Sequence, residues 1–216
     1  MPSPQQILQG LEMIAGRMAW LAVIWHIVLV IIPVAIAVGW RPSNRLFGAA
    51  ISLPVLSVSI MAWIFGNPFN GAVFLVFFVL LTIFALRQNR GLITIASSWR
   101  LISGIILLIF GLVYPHFLDT NNFLPYLYKS PLGLVPCPTL SYIIGGALLF
   151  RGLNSKGWNI TLIVAGFIYG VIGAFRLNVL IDLVLLAGSV LLILKVTLNG
   201  ETDTRGSLPD IIRTGD

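Results

Sequence analysis

Few side chains in this apolar sequence carry groups that can do chemistry. His26 and Asp182 lie inside long apolar blocks, where an ionisable group is costly and is therefore a candidate for function. The single cysteine, Cys137, stands in the sequence Pro-Cys-Pro-Thr, followed at once by the pair Pro138 and Thr139. An imidazole, a carboxylate and a thiol brought together would suit cation binding, proton relay or recognition of a polar ligand.

Each of these residues also has a structural explanation. Asp182 can accept hydrogen bonds from backbone N–H groups at the start of a helix, and His26 can bond between helices. Pro136 and Pro138 remove two N–H groups and disfavour helix before them, so the segment predicts a helix that begins near Pro138. Thr139 can bond to backbone groups that lipid leaves unpaired. Cys137 then belongs to this turn, with a reactive or ligating thiol as the alternative.

The spacing of the candidate groups predicts neither a metal site nor a cofactor. Zinc and similar ions need three or four ligands, and the sequence has no Cys-x-x-Cys, His-x-x-x-His or Glu-x-x-His pattern. It also lacks a glycine-rich phosphate loop and a nucleophile elbow. His116 and Asp119, in the loop after the fourth apolar block, are secondary candidates. The sequence therefore favours a protein that is not an enzyme.

The composition indicates whether these groups lie in a soluble protein or in a membrane protein. The chain of 216 residues is 58% hydrophobic and only 9% charged, which is too little charge for the surface of a soluble domain. Apolar blocks of about 20 residues match the ~30 Å hydrocarbon core of a bilayer. The basic residues, which give a formal net charge of +6, are scattered singly between the blocks. Lipid, and not nucleic acid, is the expected partner.

The blocks predict an all-α transmembrane bundle of about seven spans over residues 18–198, or six if one hairpin is re-entrant. The predicted spans are Met18–Trp40, Leu46–Phe65, Phe69–Leu86, Trp99–Tyr114, Leu134–Phe150, Trp158–Phe175 and Val179–Leu198. Residues 1–17 start with Ser-Pro-Gln-Gln at positions 3–6, which is typical of a capping box, and are predicted to form an interfacial amphipathic helix. Residues 199–216 are predicted to be a loosely ordered polar tail.

Arginine and lysine are divided unequally between the two sides that these spans define. Ten lie on the side expected to be cytoplasmic, and the other side has three, which are Arg17, Lys129 and Arg176. The N-terminus and the long loop are therefore predicted outside and the tail inside. His26, Cys137, Thr139 and Asp182 then share the outer half of the bundle, which predicts an outward-facing polar pocket. Lys195, close to the inner end, is expected to extend to water.

Small residues mark the expected packing faces. The sixth span carries them at intervals of four, as the ridge Gly166, Gly170 and Ala174. Such a ridge predicts the close approach of another helix. The expected partners are glycines of the fourth and fifth spans: Gly104, Gly111, Gly145 and Gly146.

From about Arg45 onward the chain resembles a bacterial family of multi-pass membrane proteins of unknown function. The resemblance is carried by Tyr114-Pro115, by PLGLVPCPT over residues 131–139, and by AFRLNVLIDLVLLAG over residues 174–188. It implies a bacterial inner-membrane setting and supplies no activity.

Three hypotheses about function follow. The first is an accessory or structural subunit that packs against other membrane proteins, because polar groups are few and small-residue ridges are abundant. The alternative is a transporter of a small solute or ion, in which His26 and Asp182 are the sensitive residues of the outer pocket. A third hypothesis places metal, haem or thiol handling at Cys137 with His26 or His116.

Overall fold

A computed structural model describes residues 3–118 and 122–205, with side chains through residue 198. Within these residues the helices are α1 (Pro4–Arg17), α2 (Ala19–Ala37), α3 (Asn44–Ile64), α4 (Pro68–Leu86), α5 (Trp99–Val113), α6 (Tyr126–Lys129), α7 (Pro136–Leu149), α8 (Lys156–Val171) and α9 (Leu183–Arg205). A small antiparallel sheet pairs β1 (Thr94–Ile95) with β2 (Phe150–Arg151). Each predicted apolar block is helical, which confirms the all-α prediction.

Five of the described helical segments are long and apolar enough to cross a membrane: Ala19–Ala37, Asn44–Ile64, Pro68–Leu86, Lys156–Arg176 and Leu180–Leu198. Two more apolar helices are shorter, α5 with 15 residues and α7 with 14. At 1.5 Å per residue α7 rises about 21 Å, against about 30 Å of hydrocarbon. The fold is that of a helical membrane protein with two short members.

Three helix boundaries differ from prediction. α7 begins at Pro136 and not near Pro138, because proline suits the first helical position, whose N–H has no helical partner in any case. α8 continues into a π-helical turn, Ile172–Arg176, and a 3-10 turn, Leu180–Asp182, precedes α9. α9 itself runs to Arg205, so the predicted tail begins as helix.

α1 starts with the predicted capping box and covers one end of the bundle. The Ser3 hydroxyl accepts from the backbone N–H of Gln6 at 3.2 Å, and Oε1 of Gln6 accepts from the N–H of Ser3 at 2.8 Å. Leu11, Ile14 and Ala15 are buried against the hydrophobic core. The apolar face of α1 therefore lies on the protein.

α7 is the centre of the bundle, and all of its 14 residues are buried. It packs against α3, α5, α8 and α9. Around it, α3 pairs with α4 and α8 pairs with α9, while α5 lies along α7 itself. α2 is more peripheral and buries only a few side chains, which are Ala22, His26, Leu29 and Ile36. Since α7 is enclosed by other helices, both of its ends lie within protein.

The contact between α5 and α7 depends on glycine. A Cβ at Gly145 would stand 2.7 Å from the backbone N of Leu108 and 2.8 Å from the O of Gly104. A Cβ at Gly104 would stand 2.7 Å from the backbone N of Leu149. Only the absence of a side chain lets the two backbones approach this closely. Gly104 and Gly145 thus face one another, which corrects their predicted pairing with the ridge on α8.

The ridge on α8 faces α9, and at Gly166 it also approaches Ile144 of α7. A Cβ at Gly166 would lie 2.5 Å from Oγ of Ser189, and one at Gly170 would lie 2.9 Å from Cγ of Leu186. Ala174 is buried in the π-helical turn that follows α8. The predicted close approach of a second helix is confirmed, and that helix belongs to the same bundle.

A buried lysine closes the C-terminal end of α7. Lys195 is 1% exposed. Its Nζ donates to the backbone oxygens of Ala147 at 2.9 Å and Leu153 at 2.8 Å, and to Oδ1 of Asn159 at 3.0 Å. These acceptors match the three donors of an ammonium group. The prediction that Lys195 extends to water is wrong, because carbonyls at the negative end of the α7 dipole hold it inside.

Gly145→Ala and Gly146→Ala make a matched test of the α5–α7 contact. Both changes introduce a better helix former, which by itself is favourable by about 1 kcal/mol. The nearest heavy atom to an added Cβ is 3.8 Å away at Gly146, whereas backbone atoms lie within 2.8 Å at Gly145. In detergent we expect Gly146→Ala to keep or raise the melting temperature and Gly145→Ala to lower it. Equal shifts would show that α5 and α7 do not approach closely.

Lys195→Met should destabilise the bundle, because three buried acceptors lose their donor. A buried polar group left unpaired costs about 1–3 kcal/mol, so the loss should be larger than for a surface lysine. Lys156→Met, at the exposed start of α8, is the control. Thermal unfolding of both variants in one detergent measures the difference. If both melt together, Lys195 does not cap α7.

Candidate functional site

The buried carboxylate of Asp182 is the centre of the candidate site. Tyr114 donates its hydroxyl to Oδ1 at 2.6 Å, and Cys137 donates its thiol to Oδ2 at 3.1 Å. Asp182 is 1% exposed, and Tyr114 and Cys137 are buried as well. We call Tyr114, Cys137 and Asp182 the acid cluster. Its members come from three separate parts of the chain, so only the tertiary fold assembles it.

Local sequence places each member at the end of a helix. Tyr114 ends α5 because Pro115 disfavours the helical conformation at the residue before it. Cys137 occupies the second position of α7, between the two prolines. Asp182 closes the 3-10 turn before α9, where its N–H donates to the O of Val179 at 2.9 Å. Three helix ends therefore meet at one carboxylate.

A glycine makes room for that carboxylate. Gly173 lies in the π-helical turn after α8, and a Cβ there would overlap Oδ2 of Asp182. π-helical turns within α-helices occur frequently at functional sites. Here the π-helical turn places Gly173 beside Asp182. Because glycine has no side chain, the carboxylate fits against the backbone of this turn.

The acid cluster suits charge or proton storage better than covalent chemistry. A carboxylate accepts from several donors, and Tyr114 and Cys137 supply two of them. A thiolate beside the carboxylate would add a second negative charge in an apolar environment, which is unfavourable. The thiol of Cys137 therefore keeps its proton and acts as a donor. Its sulfur is not set up as a nucleophile.

His26 is buried, but it lies outside the acid cluster. Its Nδ1 lies 2.8 Å from the O of Ala22, and its Nε2 lies 2.8 Å from the O of Leu112. Leu112 belongs to the last turn of α5, where carbonyls have no helical donor. His26 thus ties α2 to the end of α5. Of the four residues predicted to share a pocket, the structure brings Cys137 and Asp182 into contact, while His26 and Thr139 bond backbone groups instead.

Thr139 serves the start of α7. Its hydroxyl donates to the O of Val135 at 2.8 Å and accepts from the N–H of Gly133 at 2.9 Å. These are the backbone contacts that its position after Pro-Cys-Pro predicted. Thr139 therefore supports Cys137 through the turn and does not contact the carboxylate.

His116 lies next to the acid cluster within a group of rings. Its ring centroid is 4.3 Å from that of Phe117 and 6.4 Å from that of Tyr114. Burial lowers the pKa of His116, although the negative charges of Asp182 and Glu12 oppose the shift. The imidazole is therefore uncharged near neutral pH. The second loop candidate, Asp119, lies outside the described residues.

A cavity of about 540 Å³ adjoins the acid cluster. Cys137 and Gly173 line it on the side of the cluster, and the apolar face of α1, with Ile7, Leu11 and Ile14, lines it on another. Polar groups in the lining are fewer: Gln6, Asn67, Asn70, Tyr169 and Arg176. We call this space the core cavity. Its volume is within the range of sites that bind small molecules.

A second cavity, of about 490 Å³, lies on a different face of α1. Its charged and polar lining residues are Glu12, His116, Tyr126 and Lys129. We call it the loop cavity. Phe117 lines both cavities.

Sequence reasoning missed two residues of this site. Tyr114 was recognisable as the end of a helix before proline, but its hydroxyl bonds a residue 68 positions away. Gly173 stands one residue before Ala174 of the ridge, and nothing in the sequence separates it from the packing glycines. A similar long-range pair, Tyr169 to Asn70 at 2.9 Å, lies in the wall of the core cavity.

Within the described residues, no group of three or more His, Cys, Asp or Glu side chains could hold a metal ion. Comparison of the chain with known protein families, with curated proteins and with solved structures found no match. The acid cluster and the two cavities are thus interpreted from their geometry.

Tyr114→Phe and Tyr142→Phe remove the same hydroxyl from two buried tyrosines. Tyr142 donates to a neutral acceptor, the O of Leu29, at 2.5 Å. Tyr114 donates to a carboxylate, and hydrogen bonds to charged groups are about twice as strong. We expect losses of about 2 kcal/mol for Tyr114→Phe and about 1 kcal/mol for Tyr142→Phe in unfolding measurements. Equal losses would indicate that Asp182 is uncharged.

Proposed function

We propose that this is a bacterial inner-membrane protein of about seven spans that binds a small, mainly apolar solute in the core cavity, as the solute-binding site of a transporter. The core cavity carries the proposal: it has the volume of a ligand site, an apolar lining and a buried carboxylate next to its wall. Solute binding, and not chemical conversion, is the role that such a site supports.

The proposed topology follows from charge and packing. Arg17, Lys129 and Arg176 lie at the end of the bundle that holds the cavities, and the remaining basic residues favour the other end as cytoplasmic. α5 and α7 count as spans in this topology even though they are short. Every residue of α7 is buried in the bundle, whereas α5 keeps an exposed apolar face with Ile102, Ile106 and Ile109.

The acid cluster gives the core cavity an electrostatic character. Cys137 separates the cavity from Asp182, so a solute senses the carboxylate across one thiol. In a low-dielectric setting a charge acts over several ångströms. A solute that carries a hydrogen-bond donor near Cys137 is therefore favoured, while its apolar part contacts the face of α1.

The alternative is that the protein is an accessory subunit. The packing of the small residues does not support this alternative. Gly166 and Gly170 are covered by α9, and Gly104 and Gly145 are covered within the α5–α7 pair. These ridges are used inside the bundle and are not free to receive a partner. Purification in mild detergent tests this alternative, because a stoichiometric partner chain would support it over solute binding.

Gly10→Phe and Gly16→Phe test the core cavity with matched changes. Both glycines are in α1, and an added Cβ meets nothing within 4 Å at either position. Gly10 lines the core cavity and Gly16 lines the loop cavity. With n-decanol as the probe, we expect Gly10→Phe to weaken binding at least about tenfold, or ~1.4 kcal/mol, and Gly16→Phe to leave it unchanged.

Native mass spectrometry in a non-ionic detergent measures this by the number of decanol molecules retained per chain. Equal melting temperatures of the two variants show that neither has unfolded. If wild type retains no decanol, or if Gly10→Phe retains as much as wild type, the core cavity is not a solute site.

A further inference from the structure

The polar part of the core cavity wall offers hydrogen-bond donors. It contains three carboxamide side chains, those of Gln6, Asn67 and Asn70. A carboxamide has one acceptor oxygen and one NH2 group with two donors. In all three the oxygen already accepts a hydrogen bond from the protein, whereas the NH2 group has no hydrogen-bond partner among the described residues. The groups that remain for a ligand are therefore donors.

The protein's own hydrogen bonds fix the orientation of these amides. Oε1 of Gln6 accepts from the N–H of Ser3 at 2.8 Å, and Oδ1 of Asn67 accepts from the N–H of Asn70 at 3.1 Å. Because a backbone N–H can only donate, the oxygen and not the NH2 group must face it. Oδ1 of Asn70 accepts from the hydroxyl of Tyr169 at 2.9 Å. Each NH2 group is thus left free to donate to a ligand in the cavity.

Two of the three amides lie at the start of α4. Asn67 is its N-cap and Pro68 its first residue, and both line the cavity together with Asn70. The positive end of a helix dipole favours an acceptor, as the NH2 groups do. Among the described residues that line the cavity, none is Asp or Glu. This part of the wall is therefore complementary to an acceptor oxygen.

Charges of opposite sign border the cavity. Arg176 belongs to its lining, and the carboxylate of Asp182 lies behind Cys137. For a solute with a net charge, attraction to one of these residues is opposed by repulsion from the other. A neutral dipolar group avoids this conflict. Such a group can place its oxygen at the NH2 groups and an N–H near Cys137.

We propose that the core cavity binds a neutral aliphatic amide. The carbonyl oxygen of the amide accepts from the NH2 groups of Asn67 and Asn70, and its N–H lies near Cys137. The hydrocarbon chain contacts the apolar face of α1, which removes it from water. This inference rests on the proposed function, because it names the polar group of the solute that the core cavity binds.

Asn67→Asp and Asn70→Asp each remove one NH2 group and keep the hydrogen bonds within the protein. The carboxylate retains an oxygen that accepts from the N–H of Asn70 in the first variant and from the Tyr169 hydroxyl in the second. Aspartate is also a favourable N-cap residue, so both variants should melt close to wild type. The control is Gln9→Glu, which makes the same charge change at an exposed position of α1 outside the cavity lining.

Probes with the same ten-carbon chain and different polar ends test the inference by native mass spectrometry on the full chain. They are decanamide, methyl decanoate, n-decanol and decylammonium, and we expect decanamide to bind tightest. Either Asn→Asp change should weaken methyl decanoate about tenfold, because its polar end can only accept. The decanol hydroxyl can turn and donate instead, so its binding should change less than about twofold. Binding of decylammonium should increase, and Gln9→Glu should change none of the four.

Gly10→Phe, which fills the core cavity, separates this inference from the proposed function. It should weaken the binding of all four probes. If it does so while Asn67→Asp and Asn70→Asp behave like Gln9→Glu, the core cavity remains a solute site and the amide assignment is refuted. Tighter binding of decylammonium than of decanamide to wild type would also refute the assignment. If Gly10→Phe changes nothing, both proposals fail.

Discussion

The structure depends on the burial of α7, a helix too short to cross a bilayer unaided and enclosed on every side. Its ends are buried, so their backbone groups need partners from the protein. At the start, Pro136 and Pro138 have no N–H to satisfy, and Thr139 bonds the turn. At the end, Lys195 and the N–H of Ala96 bind the last carbonyls. These polar contacts allow an otherwise apolar core to contain helix ends.

The same burial brings the acid cluster together. Gly104 and Gly145 let α5 approach α7 at backbone distance, which sets the end of α5 beside the start of α7. Tyr114 and Cys137 occupy those two ends, and α9 adds Asp182 through its preceding turn. The close contact between α5 and α7 and the acid cluster therefore both result from the way the helices pack around α7.

α1 has a different role, because its two faces border two unlike spaces. The apolar face closes the core cavity, and the face with Glu12 borders the loop cavity. Phe117 lies between them. An amphipathic helix that could have rested on lipid thus forms a wall of the candidate binding site. Its buried side chains, Leu11, Ile14 and Ala15, contact the hydrophobic core of the bundle.

By itself the sequence determined that the chain forms long apolar helices, where these helices lie and how the local turns form. Hydropathy, capping residues and proline all act over short distances along the chain. The helices fell where the apolar blocks predicted, and Thr139 bonds as expected. The tertiary structure alone decided which polar groups meet: it joined Tyr114 to Asp182, left His26 apart and drew Lys195 inward. Those partners depend on how helices rotate and pack against α7, and no spacing along the chain records that rotation.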